Sequence, residues 1–281
     1  MKLNEKAEVF VPDGAAREEA VARATQLCIG AHPDDIEIMA PNMILDGYGN
    51  DDDWFLGVVA TDGAGSPRAK IYADYTDEEM IRVRQQEQRK AAYVGEYAAV
   101  VMLNHPSSVM KDGGNAAPVA DIKTLIRTAR PRAVCTHSLA DKHDTHVATA
   151  LRTIAAIREL PAEERPEKLY GSEVWRSLDW LLDEDTVTFD ISRRDNVTGA
   201  LVALFDSQIS GGKRYDLATT GRRRERATYL ESHGTDTATQ LSLAMDLTPL
   251  IQDTAADIAV FIGAHIDKFR NSVVGNVKRL V

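Results

Sequence analysis

The chain of 281 residues is 44% hydrophobic and 27% charged, with 18 Gly and 10 Pro. These are the proportions of a folded globular protein, and they exclude disordered, collagen-like and coiled-coil chains. Against 33 Lys and Arg stand 43 Asp and Glu, a net charge of −10. Such a surface repels phosphate backbones and anionic membranes, so no nucleic-acid partner is expected. No run approaches the roughly 20 apolar residues of a spanning helix. The charged start, MKLNEKAEVFVPDGAAREEA, lacks the apolar core of a signal peptide. Cys28 and Cys135 are the only cysteines, so no disulfide framework is expected and the expected location is cytoplasmic.

Residues 1–23 read as a polar N-terminal arm, and 24–281 as one domain. Four short apolar runs read as buried strands: 25–30, 54–60, 98–103 and 132–136. Helical patterns follow them at 36–46, 76–94, 119–129 and 143–160, the second opening on Thr76-Asp77-Glu78-Glu79, a capping box. Strand and helix alternating in this way predict an α/β fold, a Rossmann-like three-layer sandwich with a largely parallel sheet. Further strands are expected at 173–175 and 186–189, and helices at 196–205 and 246–269. The last carries an apolar stripe of Leu247, Leu250, Ile251, Ile258, Phe261 and Ile262, read as own-core packing, with an oligomer contact as the alternative.

In parallel sheets ligands bind beyond the carboxyl ends of the strands. The first strand ends in Ala31-His32-Pro33-Asp34-Asp35. A catalytic zinc takes three protein ligands and keeps a fourth position open. His32 and Asp35, three apart around a turn stiffened by Pro33, can face one ion, and Asp34 can take a proton from a water there. The competing reading is that the two carboxylates only favour the positive end of the next helix. A second cluster, Asp141-Lys142-His143-Asp144-Thr145-His146, follows the fourth strand, and its histidines share a helix face. Two histidines in register opposite a His-Asp-Asp turn favour a metal site. Zinc fits it, as do Fe2+ and Mn2+.

These residues resemble the PIG-L/LmbE family of zinc-dependent N-deacetylases. Ala31-His32-Pro33-Asp34-Asp35-Ile36-Glu37 matches the family's AHPDD-x-E signature. Thr61-Asp62-Gly63, Arg84-Gln85-Gln86-Glu87, Ala91-Ala92-Tyr93-Val94-Gly95 and His143-x-x-His146 are similar to its further motifs, and Ser207-Gln208 is a weaker echo. The resemblance implies zinc bound by His32, Asp35 and His146. It implies Asp34 as general base, and His143 as oxyanion stabiliser or proton donor to the leaving amine. The expected substrate is a small N-acetylated sugar of the N-acetylglucosamine type. The family places an Asp directly before the second histidine; here Asp144 stands one position earlier, so Asp144 and Asp141 are both candidates to orient His143. Phe205 stands where many relatives have a histidine.

Asp62 and Arg68 are expected substrate contacts, each also readable as an ordinary loop residue. Arg84 and Glu87 read as a helix-surface pair, and His105 and His137 as structural histidines. Gly221-Arg222-Arg223-Arg224-Glu225-Arg226 reads as a solvated or oligomer-contact face, and Asp51-Asp52-Asp53 as a loop without calcium-ligand spacing. Two other functions fit the same residues: a metal-dependent hydratase acting on a small carboxylated molecule, and a metal-stabilised binding module without turnover.

Overall fold

The computed structural model describes residues 1–281. In chain order the strands are β1 (Glu8–Phe10), β2 (Gln26–Gly30), β3 (Phe55–Thr61), β4 (Ala99–His105), β5 (Ala133–His137), β6 (Lys168–Ser172), β7 (Thr186–Asp190) and β8 (Leu241–Asp246). The helices are α1 (Arg17–Ala22), α2 (Asp35–Met39), α3 (Pro41–Gly47), α4 (Asp77–Val94), α5 (Ser107–Lys111), α6 (Ala117–Ala129), α7 (Asp144–Arg158), α8 (Asp195–Ala203), α9 (Asp206–Ile209), α10 (Tyr215–Tyr229), α11 (Thr248–Gln252) and α12 (Ile258–Leu280). The eight strands form one sheet in the order β1-β4-β3-β2-β5-β6-β8-β7. From β4 to β6 all neighbours are parallel, while β1, β8 and β7 add antiparallel margins.

The central strands are continuous apolar runs because both faces of the sheet are covered. Alternate side chains still part cleanly. Leu27, Ile29, Leu56, Val58, Val101 and Leu103 pack with α1, α6, α7 and α11 on one face. Cys28, Phe55, Val59, Val100 and Met102 pack with α2, α3, α4 and α8 on the other. The chain runs outward from β2 to β3 and β4, then crosses back to β5 and β6 on the other side of β2. The carboxyl ends of β2 and β5 therefore flank the point where the strand order reverses, the place where such sheets leave a crevice.

The expected α/β sandwich is the observed one, with differences in detail. The helix expected at 36–46 is two helices, because Ala40, preceding Pro41, leaves the helical region at φ −122° and ψ 39°. The strand expected at 173–175 lies earlier, at β6, whose Gly171 and Ser172 interrupt the apolar run. The helix expected at 246–269 is instead the end of β8, then α11 and α12, broken where Asp253 and Asp257 each accept backbone N–H bonds two residues on. Within the first 23 residues, β1 pairs with β4 and α1 packs on the sheet. Leu247, Leu250 and Ile251 are buried in the core under α7, and Ile258, Phe261 and Ile262 lie against it. That stripe is thus the chain's own packing. No helix is long and apolar enough to cross a membrane.

Candidate active site

The turn after β2 is tight because Gly30 lets the chain fold back. A Cβ there would meet the Asp35 Cβ at 3.0 Å and Ile36 Cγ1 at 3.2 Å. Asp34 sits at φ 96°, a left-handed conformation that is strained for any residue but Gly and is tolerated best by Asn and Asp. Two side chains of α4, the helix that follows β3, hold this turn, and a third ties the helix to α9. Arg84 Nη2 donates to the Pro33 carbonyl and lies 3.5 Å from Asp34 Oδ2. Gln88 accepts the Asp34 N–H at 3.3 Å and donates to Glu37 at 2.8 Å. Glu87 accepts the N–H and hydroxyl of Ser207 at 2.7 and 2.6 Å, tying in α9. Arg84 and Glu87 are therefore buried, not a surface pair.

On the other side, α7 begins at His143, whose Nδ1 accepts the Thr145 N–H at 3.3 Å as the helix cap. One turn on, His146 is fully buried. His32 Nδ1 lies 3.1 Å from His146 Nε2 and 3.2 Å from Asp35 Oδ2, and His146 Nε2 lies 3.4 Å from that same oxygen. Atoms bound at about 2.0–2.1 Å to one tetrahedral ion stand roughly 3.4 Å apart. The three donor atoms thus already form a triangle that can hold a divalent metal ion, with its partners in place behind it. Asp141 Oδ1 is 3.4 Å from His146 Nδ1. A proton kept on Nδ1 leaves the Nε2 lone pair free to bind.

Electrostatics divide the carboxylates. Burial pushes the Asp34 carboxyl up to about 8, against the pull of Arg84. Burial also works on Asp35, but His146, His137 and His32 outweigh it and hold the carboxyl well below the usual range. Asp141 is brought down to about 2, with His146 and the His143 N–H overcoming burial. Burial, then His146 and His32, lowers His143. With Nδ1 accepting the Thr145 N–H, the ring has Nε2 left to carry a proton and offer a hydrogen bond into the cavity.

Asp141 rather than Asp144 connects the cluster. Its Oδ1 accepts the His143 N–H at 2.9 Å and its Oδ2 the Trp175 N–H at 3.0 Å. Asp144 is exposed in the first turn of α7. His137, at the end of β5, stacks on His146 at 3.9 Å and accepts the Ala31 N–H through Nε2 at 2.8 Å. Burial lowers its pKa to about 4, so it is a neutral prop beneath the turn. His105 is paired with Asp121 at 2.8 Å.

His32, Asp34, Asp35, His143 and His146 open into one cavity of about 720 Å³. Its other walls are the 63–67 loop, Lys111, Gln208 and a group that sequence reasoning missed, Trp175, Lys213, Arg214 and Tyr215, with Arg222, which the sequence alone puts on a solvated or oligomer-contact face. Trp175 and Tyr215 meet edge to face at 5.9 Å, and Lys213 Nζ stands 5.3 Å over the Trp175 ring. Neither Asp62 nor Arg68 lines this cavity. Asp62 closes its own turn by accepting the Ala64 N–H, and Arg68 is bound to the Ala64 carbonyl and Asp77.

A model of the PIG-L family, described as GlcNAc-PI de-N-acetylase, matches residues 27–157. No curated protein sequence matches the chain. Several solved structures share the fold. The conserved protein TT1542 from Thermus thermophilus is 18% identical, with a TM-score of 0.62 over 83% of this chain and 99% of that one. N,N'-diacetylchitobiose deacetylase from Pyrococcus horikoshii is 14% identical, with a TM-score of 0.62 over 84% and 89%. GalB, the 4-carboxy-2-hydroxymuconate hydratase from Pseudomonas putida, is 15% identical, with a TM-score of 0.59 over 80% and 96%. At these identities the likeness concerns the fold, which here carries both a deacetylase and a hydratase. The matched segment holds both the turn after β2 and the histidines of α7, and residues 27–157 are a PIG-L family domain.

Proposed function

We propose that the protein is a zinc-dependent hydrolase that removes an N-acetyl group from an amino sugar or glycoside, releasing acetate and a free amine. The observation that carries this reading is the triangle of His32 Nδ1, Asp35 Oδ2 and His146 Nε2, with edges of 3.1 to 3.4 Å, opening into the same cavity as Asp34 and His143. The family match over 27–157, described by a de-N-acetylase, supports the amide as the bond attacked.

His32, Asp35 and His146 would hold the metal, which when bound lowers the pKa of water and polarises the acyl oxygen. Asp34 accepts the proton of the attacking water and passes it to the departing nitrogen. Arg84 keeps its carboxyl in place, and the charge of a bound cation favours the ionised form that this role needs. His143, its Nδ1 occupied by Thr145 N–H, presents Nε2–H to the oxygen on which negative charge develops. Asp141 fixes the proton of His146 from behind.

The sugar is read from the outer wall. An aromatic pair beside a polar lining suits a ring with an apolar face and hydroxyl edges. The test is acetate release from a panel of N-acetylglucosamine glycosides by zinc-loaded protein. Release with wild type and its loss in Asp34→Asn supports the reading. Hydration of an unsaturated carboxylate without acetate release would instead assign the site to a hydratase.

A further inference from the structure

Helix α12 leaves the body of the molecule. Ile258, Phe261 and Ile262 lie against the core, but from Ile266 to Val281 every residue is exposed. Apart from the ion pair of Lys268 with Asp185 at 2.7 Å, that is roughly four turns of helix with no partner in the body. A free helix of this length is marginal in water, and this one is rich in poor helix formers, with Asn271, Ser272, Val273, Val274, Gly275 and Asn276 in succession. Its apolar face is well defined. Ile262, Ile266, Phe269, Val273, Val277 and Leu280 recur at spacings of four and three, so they share one stripe. The stripe starts on the core at Ile262 and runs out uncovered.

We propose that a second copy of this chain covers it, the two α12 helices pairing antiparallel about a twofold axis at Val273. In that register Phe269 faces Val277 and Ile266 faces Leu280, so every exposed member of the stripe meets an apolar partner. The two bodies then lie at opposite ends of the paired segment. Charge favours the same direction. Asp267, whose cation within its own helix is Arg270 at 4.0 Å, comes opposite Arg279. In the same register Lys278 comes opposite Lys268, whose charge is already met by Asp185 at 2.7 Å, with Asp183 and Glu184 exposed next to it in sequence. Parallel pairing would set Asp267 against Asp267 and the two basic turns against each other. Exposures of 40% at Phe269 to 75% at Leu280 leave several hundred Å² of apolar surface per copy. That is comparable to the roughly 800 Å² each partner gives to a standard interface, and a twofold axis closes the assembly at two.

Sedimentation equilibrium on the full chain at tens of micromolar tests this. The expected mass is twice the 30.9 kDa of one chain. Val273→Asp, which sets two carboxylates face to face on the axis, should raise the dissociation constant about 100-fold or more. The melting temperature at low concentration should stay unchanged, because Val273 lies outside the core. Cysteine cross-linking reads the register: Val273→Cys should form a disulfide-linked dimer by itself. Ile266→Cys should do so only when mixed with Leu280→Cys. Cys28 and Cys135 are buried and do not compete. A single-chain mass throughout, an assembly untouched by Val273→Asp, or efficient self-linking of Ile266→Cys would overturn the proposal. So would a monomer that binds phosphatidylserine vesicles through α12.

Discussion

The floor of the cavity and its outer wall are built by different means. The floor comes from two turns, at 31–35 and 137–146, whose buried side chains are held by close neighbours: Asp34 by Arg84, His146 by Asp141, Ala31 by His137; only His143 of the site residues there stands exposed. The wall comes from Trp175, Lys213, Tyr215 and Arg222, on a loop and the start of α10, and it is largely open to solvent. Asp141 joins them, accepting from Trp175 on one side and backing His146 on the other. A buried, interlocked set fixes geometry to within the tolerance that bond-breaking demands, whereas an open wall can only add affinity. On the proposed reading, turnover belongs to the floor and substrate preference to the wall.

The strongest way to break that assignment is Asp34→Asn. Asn tolerates the left-handed backbone, so the fold should persist. Turnover should fall about 1,000-fold or more with metal content unchanged, read by steady-state acetate release beside elemental analysis. Asp141→Asn probes the joint between the regions. It should weaken metal binding about 10- to 100-fold, measured by competition with a chelator, because the proton on His146 is no longer fixed. Next comes Trp175→Ala, which should raise KM about tenfold and leave kcat nearly unchanged. If kcat falls as far as it does in Asp34→Asn, the division between floor and wall is wrong. The smallest effect is expected at Asp62 and Arg68. Replacing either with Ala should change kcat/KM by less than about threefold, because both are spent on their own loop.

What could be read from sequence follows the same division. The floor was legible because its donors crowd into two short segments just after strands, where backbone geometry alone sets their spacing. Asp34, Asp35, His143 and His146 could be picked out before any fold was known. The wall was not legible. Trp175, Lys213, Tyr215 and Arg222 meet only because the loop after β6 is brought against α10 and the loop before it, and no interval between them is characteristic. Arg84 was visible as part of a motif, but its burial beneath the Pro33 carbonyl needed the packing of α4 against the turn. Among the strands, β2 to β5 were evident because burial on both faces makes continuous apolar runs. The short edge strand β1 and the Gly- and Ser-containing β6 gave no such signal. Strand β8 is not among the sequence expectations, which begin a helix at its last residue, Asp246.

The proposed chemistry turns on whether His32, Asp35 and His146 hold one metal ion. Zinc per chain answers this, by elemental analysis of wild type and of a His32→Ala, His146→Ala double variant, both purified without chelator and then reconstituted. Close to one zinc is expected in the wild type and almost none in the double variant, with both folded by circular dichroism. A wild type that takes up no zinc, or a double variant that keeps a full equivalent, would contradict the assignment.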